Sequence, residues 1–125
     1  MPSIAPRIRV LIVEDETLIR MDAVEMLRSA GYDILEAANA DEAIEMLERH
    51  SDIRLVFTDI DMPGSMNGLK LSAAVRDRWP PVEIIATSGH FKVQASDLPV
   101  DARFIAKPYQ PAHIISAIRE LTGAH

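Results

Sequence analysis

Residues 8–16 read Ile-Arg-Val-Leu-Ile-Val-Glu-Asp-Glu (IRVLIVEDE), an apolar run that stops abruptly at three acids. Ile8–Val13 is a continuous β-branched and leucine run, the pattern of a strand buried on both faces. Outward from it the pattern repeats. Thr17–Ala30 carries Leu18, Met21, Val24 and Leu27 on one helical face, and Gly31 follows as a C-terminal cap. Tyr32–Ala37 reads as a short strand. Asn39, with Glu42 three positions on, resembles a capping box and opens a helix through Arg49. Arg54–Thr58 (RLVFT) is another buried strand, Asp59–Asn67 a loop, and Gly68–Trp79 a helix stopped by Pro80-Pro81. Val82–Thr87 and Asp101–Ala106 supply two more strands. Pro111 suits the first turn of a last helix whose apolar face is Ile114, Ile115, Ile118 and Leu121. Strand and helix alternate throughout, which calls for a doubly wound parallel sheet with helices on both faces.

Composition bounds the function. The chain has 125 residues, enough for a single core, and a formal charge of −6. An acidic domain this small is a poor nucleic-acid binder, because phosphate repels it. Cysteine is absent, which excludes disulfides, thiolate metal sites and a cysteine nucleophile. No apolar stretch approaches membrane-spanning length, and Met1–Arg9 lacks a signal-peptide core. The expectation is one soluble, cytoplasmic domain over residues 1–125, with residues 1–6 a tail. The six methionines read as core filler. His50, His90, His113 and His125 lack metal-ligand spacing.

In such sheets the working site lies at the carboxyl ends of the strands. Glu14, Asp15 and Glu16 follow the first strand, Asp59 ends the third, Thr87 and Ser88 end the fourth, and Lys107 ends the fifth. Each alone has a plain reading. Asp59 suits a helix cap, the acidic triplet a helix first turn, Ser88 a turn, and Lys107 the surface. For Glu16 the plain reading is preferred. Together they crowd several carboxylates, a hydroxyl and an ammonium onto one rim. Two carboxylates about 5 Å apart at an effective dielectric of 20 repel by roughly 3 kcal/mol. A hard oxygen site without His or Cys suits Mg²⁺, and a metal, a lysine and a hydroxyl together suit phosphoryl oxygens. An aspartate carboxylate can then act as nucleophile.

These residues resemble a receiver domain of a bacterial two-component response regulator, of the chemotaxis-regulator type. The motifs are VLIVEDE (Val10–Glu16), FTDIDMPG (Phe57–Gly64), NGL (Asn67–Leu69), TSG (Thr87–Gly89) and KPY (Lys107–Tyr109), across about Arg7 to Thr122. The resemblance implies a flavodoxin-like five-stranded sheet of order 2-1-3-4-5 with five helices. It implies Asp59 as phospho-acceptor, Asp15 as a direct Mg²⁺ ligand, Glu14 as a ligand through water, and Asp61 as a backbone-carbonyl ligand. Ser88, preferred to Thr87 because it precedes the small Gly89, would meet the phosphoryl group. Lys107 would pair with it, across an expected cis bond to Pro108, and Phe104 would be the switch aromatic. The implied donor is a histidine kinase or histidine phosphotransfer protein, and the output a downstream protein target. Nucleic acid and membrane would not be bound directly, and catalysis would be limited to self-phosphorylation and slow autodephosphorylation rather than metabolic turnover. Phosphorylation adds about −1.5 to −2 charge, and a full 1:99 to 99:1 switch needs roughly 5.5 kcal/mol.

Departures from the pattern carry their own expectations. The loop Asp59–Gly68 looks one residue long, which predicts a rearranged turn at Gly64-Ser65. The stretch Ser88–Lys107 looks short by most of a turn. Phe91–Leu98 shows little amphipathicity, which predicts a fourth helix of one or two turns, or one partly disordered, and puts the usual dimer surface there in doubt. Asp61 and His90 stand where the family tunes phosphoryl lifetime. No output domain follows Leu121, so the expectation is a stand-alone receiver acting by protein contacts, the alternative being a piece of a longer regulator. Two rivals remain. A haloacid-dehalogenase-like phosphatase shares Asp59-Ile60-Asp61, but Met62-Pro63 breaks its motif and no cap would fit. A pseudo-receiver, a pure interaction module, usually lacks the acceptor, the acidic pair or the lysine, all present here.

Overall fold

The computed structural model describes residues 7–62, 67–89 and 94–123. Five strands form one parallel sheet: β1 (Arg9–Val13), β2 (Asp33–Ala37), β3 (Ile53–Asp59), β4 (Glu83–Ser88) and β5 (Arg103–Ala106). Their order is β2-β1-β3-β4-β5, as the resemblance implied. Four helices connect or follow them: α1 (Thr17–Ser29), α2 (Ala40–Arg49), α3 (Gly68–Arg78) and α4 (Pro111–Thr122).

The two-sided burial of β1 follows from its sequence. Val10 and Ile12 enter the core under α1 and α4, with Val24, Leu27, Ile114 and Ile118. Leu11 and Val13 enter the opposite core under α2 and α3, with Ala43, Leu47, Leu71 and Val75. Successive side chains alternate between faces, so the part of the strand covered on both, Val10–Val13, is apolar at every position. Each fully buried side chain of this kind contributes about 1.5–3 kcal/mol.

The helix ends follow from local chemistry. Gly31, at φ 98°, closes α1: its amide donates to Arg28 O, and the Tyr32 amide donates to Leu27 O. That left-handed position is open to glycine at no steric cost. At α2 the Asn39 side chain accepts from the Glu42 amide at 2.8 Å, while Glu42 reaches past it to the Ala38 amide at 2.9 Å. The expected box is therefore displaced by one residue on its return bond. α3 stops at Arg78, one residue before the expected end, with Trp79 as its cap beneath the Arg78 guanidinium.

Three expectations are corrected. Among the described residues there are four α-helices, not five. Between β4 and β5 the described residues form a 3-10 turn, Ala95–Asp97, so the C-terminal helix is the fourth among them. Of residues 94–102 only Leu98 is a buried apolar side chain, too little to hold a longer helix there. Second, Leu18 and Met21 do not join the buried face of α1. They are 76% and 57% exposed, and Ala23, Val24 and Leu27 take the inward places. Third, of the described methionines only Met62 is buried; Met26 and Met46 pack at core margins, and Met21 is exposed. The turn expected at Gly64-Ser65 lies outside the described residues, as does His90.

Candidate functional site

The parallel register brings the strand ends together. Val13 pairs with Thr58, and Asp59 pairs with Thr87, so the residues that follow β1 and end β3 and β4 share one rim. Asp59 is 7% exposed and Glu14 5% exposed, while Asp15 is half-buried. One carboxylate oxygen from each of Glu14, Asp15 and Asp59 lies within 4.8 Å of the others. Lys107 Nζ donates to Asp59 Oδ2 at 3.0 Å and stands 3.9 Å from Glu14 Oε1. The bond from Lys107 to Pro108 is cis. The backbone of Lys107 is held by its own amide donating to Ser88 O at 2.9 Å.

The remaining contacts orient these groups. The Asp61 amide donates to Asp59 Oδ1 at 2.9 Å, so both acceptor oxygens are engaged. The Glu16 amide donates to Glu14 Oε2 at 3.0 Å. Glu16 is exposed and stands at the N-cap of α1 without a side-chain cap bond, one residue before the helix, so the acidic first turn read from the sequence is not formed. Ser88 Oγ, 2% exposed at the residue level, donates to Asp61 Oδ2 at 2.8 Å, and the Gly89 amide donates to the same oxygen at 3.2 Å. Asp61 thus uses its side chain, a role the sequence reading did not assign. Phe104 is half-buried against Ile60, Ala86 and Leu98. Tyr109, half-buried, meets the Phe57 ring edge-on at 5.9 Å.

Charge crowding shifts the buried groups. Burial pushes the Glu14 carboxyl up to about 7, against the opposing hydrogen bond from the Glu16 amide and with help from the charge of Asp59 and from side-chain hydrogen bonding with Asp15 and Asp59. Burial works against the Lys107 ammonium. The hydrogen bond and charge of Asp59, with Glu14 behind it, outweigh that and hold its pKa above the usual lysine value. Three carboxylates around one point, with neither nitrogen nor sulfur donor in the set, fit a hard divalent cation such as Mg²⁺.

Two further residues escaped the sequence reading. Arg20 donates to the Glu14 carbonyl at 2.7 Å and to Glu36 at 3.2 Å, pinning the turn that carries the acidic pair. Its signal is weak, an arginine one turn into a helix. Gly68 begins α3 directly against β3. An added Cβ would overlap the Asp59 carbonyl oxygen and lie 2.6 Å from Ile60 Cα. The Gly68 amide donates to Ile60 O at 3.1 Å, so the close approach is itself a bond. Asn67 caps the helix by accepting from the Lys70 amide at 3.0 Å.

A sheet of this order with an acidic, lysine-bearing rim defines a class of phosphoryl-dependent signalling modules. The chain belongs to the response regulator receiver domain family, which it matches over residues 10–119. It is 35% identical over 116 residues to sensor kinase CckA of Brucella abortus, covering 90% of this chain but 12% of CckA's length. It is 32% identical over 120 residues to the chemotaxis protein CheY of Thermotoga maritima, covering 91% of this chain and 97% of that one. A crystal structure of a response regulator receiver protein from Sinorhizobium medicae WSM419 superposes with a TM-score of 0.86 at 28% identity, over 94% of this chain and 96% of that one. Receiver domains are phosphorylation-dependent signalling switches rather than metabolic enzymes. That membership displaces the phosphatase reading. Among the described residues no helix is long and apolar enough to cross a membrane.

Proposed function

We propose that this chain is a single receiver domain that accepts a phosphoryl group on Asp59 from a phosphohistidine of a histidine kinase or phosphotransfer protein. Its setting is the cytoplasm, and its output passes to a downstream protein without direct contact to nucleic acid or membrane. The observation that carries the reading is Lys107 Nζ at 3.0 Å from an almost fully buried Asp59 whose neighbours are Glu14 and Asp15. The ammonium is placed to offset the negative charge gathered on the acceptor during transfer.

In the transfer, the donor's N–P bond breaks and a P–O bond forms to an Asp59 carboxylate oxygen. The released imidazole nitrogen keeps the bonding pair. Asp59 is aimed by the Asp61 amide on Oδ1 and by Lys107 on Oδ2. Lys107 stays with the new anion and offsets its charge. Mg²⁺ held by Glu14, Asp15 and Asp59, with the Asp61 carbonyl, would neutralise the transferring oxygens. Ser88 then donates to a phosphoryl oxygen, and Phe104 repacks as the end of β4 moves. Water reverses the modification slowly.

A protein donor is supported by the surface beside the site. Ile19, 37% exposed, lines a depression with Gly89, Lys107, Pro108 and Tyr109. An apolar rim next to the acceptor suits a docking helix better than a free metabolite. The test is intact mass after incubation with acetyl phosphate. One Mg²⁺-dependent phosphoryl adduct is expected on the wild type and none on Asp59→Asn. Well-folded, Mg²⁺-loaded protein that takes no adduct would defeat the proposal.

A further inference from the structure

The Asp61 carboxylate sits beside the acceptor with two donors already on it. Ser88 Oγ donates to Oδ2 at 2.8 Å, and the Gly89 amide donates to that oxygen at 3.2 Å. Both donors belong to the end of β4, where the chain leaves the sheet. The backbone of Asp61 is fixed to the acceptor by its amide on Asp59 Oδ1 at 2.9 Å. Asp61 therefore bridges β3 and β4, amide on one and side chain on the other.

A hydroxyl carries one proton. Ser88 cannot give it to Asp61 and to a phosphoryl oxygen at once. Resting on the reading of Asp59 as acceptor, we infer that the Asp61 side chain is a restraint, holding the Ser88 hydroxyl and Gly89 amide until a phosphoryl group on Asp59 competes for them. Bonds to an ionised carboxylate are about twice as strong as neutral ones, so the competition is costly. Ser88 is buried and Asp61 half-buried, so water does little to soften it. A phosphoryl group of about −2 charge offers the stronger acceptor and wins. Its net gain is smaller by what Asp61 gives up, which keeps the unmodified protein in its resting arrangement. Asp61 is thus a positioning residue acting through Ser88 and Gly89.

The experiment uses the whole chain at saturating Mg²⁺ with beryllofluoride, a non-reactive phosphoryl mimic, and reads affinity and the Gly89 amide resonance. Asp61→Ala keeps the backbone carbonyl and loses the restraint. It should bind about tenfold more tightly than wild type, some 1.4 kcal/mol. Asp61→Asn keeps an oxygen that accepts from both donors and loses the charge, so it should gain only about threefold. Before beryllofluoride is added, the Gly89 resonance should move in Asp61→Ala far more than in Asp61→Asn. No gain in Asp61→Ala, with wild type binding normally, would overturn the restraint alone. So would equal gains in both variants, since charge repulsion then suffices. Wild type that fails to bind, or Asp59→Asn that binds equally well, would overturn the acceptor reading and the restraint with it.

Discussion

Along β1 and β3 nearly every residue is buried, whereas β5 has no fully buried residue and its last, Ala106, is exposed. The first pair lies at the centre of the sheet, with a helix layer on each face. The approach to β5 is held by a three-residue 3-10 turn and a few anchors. Leu98 plugs onto Ile60 and Ala86. Arg76 donates to the carbonyls of Val100 at 3.0 Å, Pro80 at 2.8 Å and Val82 at 3.2 Å. Asp101, at φ 67°, turns the chain into β5, with the Ala102 amide closing onto Pro99 O. The acidic half of the site hangs from the buried centre, Ser88 ends the equally buried β4, and Lys107 follows the lightly held β5. The acceptor is thereby fixed, and the lysine that responds to it stands where movement costs least.

Substitutions test that contrast in order of size. Leu11→Ala, at the fully buried centre, should cost about 4 kcal/mol in urea unfolding. Gly68→Ala comes next. Its methyl group meets backbone rather than a yielding side chain, so about 3 kcal/mol should be lost together with most phosphoryl uptake. Leu98→Ala should cost nearer 2 kcal/mol. A cost equal to that of Leu11→Ala would break the comparison, because the β4–β5 side would then be as firmly packed as the centre.

Two smaller effects sharpen it. Arg76→Met leaves three carbonyls without their shared donor and should cost about 1 kcal/mol. Its clearer mark should be faster hydrogen exchange at the Leu98 and Ala102 amides, with the β1 amides unchanged. At the rigid rim the test is pH. Burial leaves Glu14 protonated below about 7, so Mg²⁺ must displace that proton. Mg²⁺ affinity should rise up to about tenfold per unit toward pH 7 and flatten above it. In the metal-free protein the sign is opposite for stability. The raised folded-state pKa makes the native form hold the extra proton, so this contribution is lost as pH rises through about 7.

The same contrast governs what was legible in the sequence. Ile8–Val13 and Arg54–Thr58 announced themselves because a strand carries a run of apolar residues where it is covered on both faces. Their register then carried Glu14, Asp15, Asp59, Ser88 and Lys107 to one rim without further information. Leu18 and Met21 misled because helical periodicity marks a face and not which of its residues are covered. The segment before β5 was half legible: the weak pattern in Phe91–Leu98 foretold a short helix, and its described part, from residue 94, holds a 3-10 turn. Gly68, Arg20 and the side chain of Asp61 were hidden because their roles lie in contacts between segments distant in sequence. Local propensity does not encode such contacts.

The central claim is that Asp59, among several neighbouring carboxylates, is the one that takes the phosphoryl group. Borohydride reduction of the phosphorylated chain, followed by peptide mass mapping, reads the site directly, because an acyl phosphate is reduced to the alcohol. The account predicts homoserine at position 59, with Glu14, Asp15 and Asp61 intact. Reduction at any of those three instead, or phosphorylated protein with no reduced carboxylate, would contradict it.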